Sequence, residues 1–112
     1  MALFSELFSG CGELEDCLVR DSAHLVVGTK GYHVRLVQVA LVRLGFGGID
    51  GAEYLQGLYG HTTADAVLRY KTSRKIINFS YQSKPDNIVG KMTIARLDQE
   101  TSNLERTPKL LL

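Results

Sequence analysis

Gly31-Tyr32-His33-Val34-Arg35-Leu36-Val37-Gln38-Val39-Ala40-Leu41-Val42-Arg43-Leu44-Gly45 is the stretch that decides how this 112-residue chain is read. Val34, Val37, Leu41 and Leu44 fall at offsets of three, seven and ten, with Ala40 beside them. That spacing lays one apolar stripe along an α-helix. Gly45 follows at once, where a left-handed helix stop favours a residue without a side chain. Gln38 is the polar exception on the apolar face. A buried amide needs a partner, and the backbone of the glycine-rich loop that follows is the expected one. A contact with a ligand is the sharper alternative.

Downstream, residues 46–60 hold Gly47, Gly48, Gly51, Gly57 and Gly60 and read as a turn-laden loop with no element of its own. A second helix is expected from His61 to Arg74, with Thr63, Ala66, Val67 and Tyr70 inward and Asp65, Arg69 and Lys71 outward. Another loop spans Ile76 to Val89 and includes Pro85-Asp86-Asn87. A third helix is expected from about Lys91, carrying Ile94, Leu97 and Leu104 inward. The last two helices share a weak repeat. Leu58-Tyr59-Gly60-His61-Thr62-Thr63 and Ile88-Val89-Gly90-Lys91-Met92-Thr93 both read apolar, apolar, Gly, x, x, Thr, thirty residues apart. The glycine lets the chain turn into the helix, and the threonine can bond back toward its open end. The apolar pair anchors the loop on the core, as in a hydrophobic staple.

Upstream of Gly31 the helical signal is mixed. Phe4, Leu7 and Phe8, then Leu14, Cys17 and Leu18, show helical spacing on either side of Gly10 and Gly12. Leu25-Val26-Val27 reads as a short extended stretch. This region is expected to wrap the main core. Cys11 and Cys17 could close a short disulfide loop, but with no export signal two reduced thiols are the simpler expectation.

The composition, 45% hydrophobic and 22% charged with two prolines, is that of a folded globular chain. A net charge of +1, with no basic run longer than Arg74-Lys75, argues against nucleic acid as a partner. No segment approaches the roughly 18 apolar residues of a membrane span. The first residues carry Glu6 and no basic region, so no usual secretory signal is read, and the chain is expected to be cytoplasmic as synthesised. Phe8-Ser9-Gly10-Cys11 has a slight likeness to a lipoprotein attachment box, but the apolar stretch before it is short and broken by Glu6.

The three helical segments together carry a resemblance. Gly31-x-x-Val34-x-x-Val37-Gln38-x-Ala40-Leu41-x-x-Leu44-Gly45 resembles the opening helix of the peptidoglycan-binding domain family. Asp50-Gly51, then Tyr59-Gly60-x-x-Thr63-x-x-Ala66-Val67-x-x-Tyr70-Lys71, resembles its second segment, and Asn87-Ile88-Val89-Gly90-x-x-Thr93-x-x-x-Leu97 its third. Each alone is common; three in order, from Gly31 to Leu97, are specific. The chain departs from the family pattern at Tyr70-Lys71, where Phe-Gln is frequent, and in the longer stretches Ala52–Leu58 and Ile76–Asp86. Added loop length costs little stability.

The resemblance implies a mainly α fold: a small three-helix bundle with long glycine-rich connecting loops. On this reading residues 1–30 form an extension on the core, 31–104 the domain and 105–112 a loose tail. It also implies a non-catalytic module that binds cell-wall peptidoglycan, which a non-classical route would have to carry to the periplasm or wall. The alternative is a protein-interaction adaptor, as in a secretion or phage assembly, that keeps the fold without binding glycan.

Peptidoglycan offers sugar rings with apolar faces, amides and peptide carboxylates. Aromatic rings can lie against the sugars, and Arg or Lys can pair with carboxylates. The candidate ligand-binding residues are therefore Tyr59, Tyr81 and Gln82 in the loops and Arg35, Lys71 and Arg74 on helix surfaces. No cofactor is implied. His24, His33 and His61 are scattered, the cysteines lack Cys-x-x-Cys spacing, and Asp50-Gly51-Ala52-Glu53 has too few oxygens for a calcium loop, so no metal is expected. Ser5, Ser9 and Ser22 lack a nucleophile-elbow context, and Glu13, Glu15 and Asp16 read as a charged helix face, so no enzymatic activity is expected.

Overall fold

The computed structural model describes residues 3–77 and 84–106. The described chain is mainly helical: α1 (Gly12–Cys17), α2 (Tyr32–Arg43), α3 (Gly51–Gln56), α4 (His61–Arg74) and α5 (Lys91–Arg106), with a 3-10 turn at Asp21–Ala23. Extended pairing among the described residues is limited to isolated antiparallel bridges, Leu25 with Val89 and Lys30 with Leu58.

α2 runs where its stripe predicts and buries Val34, Val37, Ala40 and Leu41, while Leu44 packs half-buried at its end. Gly45 sits at φ +93, and the Phe46 N–H donates to the Leu41 carbonyl at 2.8 Å. This is the Schellman closure that glycine favours. α4 ends in the same way, with the Ile76 N–H on the Lys71 carbonyl at 2.9 Å, but the left-handed residue is Lys75 at φ +56. A side chain there carries strain that glycine would not.

Val34 of α2, Val67 of α4 and Leu97 of α5 belong to one buried cluster. Leu3, Phe8, Leu14, Cys17 and Leu25 from the first thirty residues join it. Cys11 and Cys17 are separate thiols. Burial pushes the Cys17 thiol up to about 11, and its Sγ lies 3.3 Å from the Val89 carbonyl oxygen. A buried, protonated thiol of this kind packs as a small apolar group.

Residues 25–31 form a strap across the starts of both later helices. Leu25 and Val89 exchange two backbone hydrogen bonds of 3.0 Å. Further along the strap, the Tyr59 N–H donates to the Thr29 carbonyl at 2.8 Å and the Gly28 N–H to the Tyr59 carbonyl at 2.9 Å. Pairing of this kind satisfies backbone groups that would otherwise be buried without partners. Gly57, at φ +61, lets the strap come close: a Cβ there would lie 2.6 Å from the Gly31 carbonyl oxygen.

The structure differs from the sequence expectation in three places. The loop 46–60 contains α3, which buries only Glu53 and so has no apolar period to announce it. Lys71, expected to face outward, is buried, because it lies one helical turn after Val67 on the core face. Leu104, expected inward, is exposed.

Candidate functional site

The two repeated motifs open α4 and α5, and their buried anchors are equivalent: Tyr59 and Val89 are both fully buried before their glycines. The mouths of the two helices nevertheless differ in what fills them.

The mouth of α4 is filled by the carboxylate of Glu53. Glu53 Oε1 accepts the Gly60 and Thr63 N–H groups at 3.1 and 2.9 Å, and Oε2 accepts the Thr62 N–H at 3.1 Å. The hydroxyls of Thr62 and Thr63 donate to the same carboxylate at 2.6 and 2.7 Å. Burial alone would raise the Glu53 pKa; the Thr62 and Thr63 hydroxyls and amides outweigh it and hold it down at about 2. An ionised carboxylate here also complements the positive end of the helix dipole. Gly60 makes room, since a Cβ would lie 2.5 Å from the Glu53 carboxyl carbon. Gln38 completes the arrangement, donating from Nε2 to the Leu58 carbonyl at 3.0 Å and to Thr63 Oγ1 at 2.9 Å. That is the tie to the glycine-rich loop expected of a buried amide.

At the mouth of α5, the ring of His24 stands over Gly90 where Glu53 stands over Gly60. A Cβ on Gly90 would lie 3.1 to 3.4 Å from the imidazole. Beside it opens a cavity of about 520 Å³, lined by His24, Lys71, Asp86, Ile88, Lys91 and Thr93 among others. His24 Nε2 is buried without a hydrogen-bond partner; the nearest carboxylate, that of Asp21, is 3.6 Å away and 87% exposed, against 26% for the imidazole. Lys71 is only 7% exposed and donates from Nζ to Asp86 Oδ1 at 2.6 Å and to the Ile88 carbonyl at 2.8 Å. An ammonium has three donors, and two of those on Lys71 are used. The backbone N–H groups of Lys91, Met92 and Thr93 donate to no carboxylate among the described residues, in contrast to those of Thr62 and Thr63. Polar side chains and a helix start thus line one concave space, the setting in which ligand pockets occur.

The candidate residues read from the sequence are dispersed. Of the four that lie among the described residues, Lys71 alone lines this pocket. Tyr59 is buried and its hydroxyl donates to the Asn87 carbonyl, so its ring is a core element and presents no face to a ligand. Burial raises the Tyr59 pKa further, with the Asp86 charge adding to it. Arg35 donates to the Tyr54 and Leu55 carbonyls, stopping α3, and lies over the Tyr54 ring. Arg74 grips Glu100 with two nitrogens at 2.7 and 2.6 Å and lies against the rings of Phe46 and Tyr70. Tyr81 and Gln82 lie outside the described residues. Of the residues the sequence reading did not single out as ligands, Lys91 and Thr93 are marked by the thirty-residue repeat. His24 and Asp86 carry no such mark, because the 3-10 turn before the strap and the loop before α5 bring them in.

Among the described residues, no group of three or more His, Cys, Asp or Glu side chains could hold a metal ion, and no helix is long and apolar enough to cross a membrane. In comparisons with known proteins, no family model matches the chain, and no curated protein and no solved structure matches it.

Proposed function

We propose that the chain is a non-catalytic binding module of the peptidoglycan-binding-domain type, and that its ligand is bacterial cell-wall peptidoglycan. The observation that carries this reading is the mouth of α5, where His24, Lys71 and Lys91 line a cavity of about 520 Å³ and the N–H groups of Lys91, Met92 and Thr93 meet no carboxylate among the described residues. Peptidoglycan supplies amides and peptide carboxylates that suit such donors. The three glycine-bounded helices sharing one core, in the order of the family's three segments, support the same reading.

Purified insoluble peptidoglycan tests it. Wild-type protein sediments with the wall material, and Lys91→Ala, which alters an exposed side chain, sediments less. Wild-type protein that stays wholly in the supernatant removes the reading.

One observation favours an adaptor instead. Tyr32 and Leu55, 69% and 74% exposed, flank the Arg35–Tyr54 contact on α2 and α3. Apolar side chains grouped around an arginine are common in protein interfaces. On that reading Leu55→Asp abolishes capture of a partner protein while leaving wall sedimentation, or its absence, unchanged.

A further inference from the structure

We infer that a groove along α5 is the seat of the chain's own residues 107–112, Thr107-Pro108-Lys109-Leu110-Leu111-Leu112. The groove has a volume of about 760 Å³. It is lined by Ala95, Gln99 and Ser102, which share one face of the helix, and by Phe4 and Leu18 from the first thirty residues.

Phe4 is 78% exposed, more than any other large apolar side chain among the described residues. A lone exposed ring is ordinary, but this one is held in place at the groove. Its N–H donates to Asp98 Oδ2 at 2.8 Å, and the Ser5 N–H donates to Asp98 Oδ1 at 2.9 Å. Leu3 and Ser5, on either side of it, are buried. The exposure of Phe4 therefore comes from a fixed backbone, not from a loose end.

Length and direction favour the tail as the occupant. Arg106, the residue before it, itself lines the groove. Pro108 cannot extend the helix, and the residue before a proline is biased toward extended backbone. From Arg106 back to Asp98, which holds Phe4, the helix covers about 12 Å at its usual rise. The four residues after Pro108 span about 13 Å when extended. A chain turning back at Pro108 thus brings its leucines level with the Phe4 ring. Tethered there, it meets the groove at an effective concentration that a free peptide would need millimolar amounts to match.

Charge agrees. Glu6, Asp98 and Glu105 line the groove against Arg106 alone, while the tail brings Lys109 and no acid. Asp98 is spent on the Phe4 and Ser5 amides, and Glu105 on those of Glu6 and Leu7. The exposed carboxylate of Glu6 forms no ion pair among the described residues, which leaves it for Lys109.

Nuclear Overhauser contacts in the isotope-labelled 112-residue chain test this seating. Methyl groups of Leu110–Leu112 should contact the Phe4 ring and the Gln99 side chain, with the same intensity on tenfold dilution. Replacing all three leucines with serine should remove the contacts and speed amide exchange at Phe4 and Ser5 severalfold. Exchange at Thr62 and Thr63 should not change. Lys109→Glu should weaken the contacts, and Glu6→Lys in the same chain should restore them. Leucine methyls without contact to Phe4, or unchanged exchange in the serine variant, overturn the inference. So do contacts from Met1-Ala2 in place of the leucines, and contacts that fade on dilution, which would mean the tail of a second copy.

Discussion

The mouths of α4 and α5 start from one sequence motif and end as different objects. At α4, Glu53 closes the helix from within, and Gln38 and Thr63 lock the closure into the core. At α5, a histidine takes the place over the glycine, and a cavity with Lys71 at its wall remains. A helix start has a fixed demand for acceptors, set by its unpaired N–H groups. Whether the chain meets that demand itself decides whether the position is structural or free for a ligand.

The largest effect expected from breaking the comparison lies beneath it, in the anchors. Tyr59→Ala removes a fully buried ring together with its bond to Asn87 and should cost about 3–5 kcal/mol. Val89→Ala at the equivalent position removes less volume and should cost about 1–2 kcal/mol. Urea unfolding of the two variants measures both.

Glu53→Gln opens the closed mouth. It keeps the size of the side chain but turns a charged acceptor of five hydrogen bonds into a neutral amide, at a cost on the order of 2–3 kcal/mol. The pH dependence follows from the sign of the shift. Glu53 titrates near 4.5 when unfolded and at about 2 when folded, so its contribution is complete above 4.5 and is lost as the pH falls through about 2. Glu100 is shifted in the same direction, chiefly by its hydrogen bonds from Arg74. Wild-type protein should therefore lose stability between about pH 4.5 and 2, and Glu53→Gln should flatten that fall, as read by thermal melting across the range.

Two smaller effects sharpen the contrast. Lys75→Gly relieves a left-handed side-chain residue at the end of α4 and should stabilise by about 1 kcal/mol. Lys91→Ala should change stability by less than about 0.5 kcal/mol, because its side chain is exposed. A stability loss at Lys91 comparable to that at Glu53 would make the α5 mouth a structural element like the α4 mouth.

Much of this contrast was legible in the residues. The stripe through Val34, Val37 and Leu41 and the helix bounds His61–Arg74 follow from periodicity and glycine placement. The two mouths follow from the repeat, and Gln38 was expected to bond the loop, as it does at Leu58. The contents of the mouths were not legible. Glu53 reaches α4 from a six-residue helix with a single buried residue, a pattern without apolar period. His24 stands just before a strap held by backbone bonds that leave no side-chain signature. Lys71 reads as a surface charge by residue type, while its position one turn after Val67 places it inside. Periodicity fixes which face of a helix is buried; it carries nothing about which distant polar group will meet that face.

Amide hydrogen exchange on the unliganded protein compares the two mouths most directly. Protection factors at Thr62 and Thr63 should exceed those at Met92 and Thr93, and Glu53→Gln should bring the first pair down to the level of the second. Equal protection at both mouths in the wild-type protein would contradict the account.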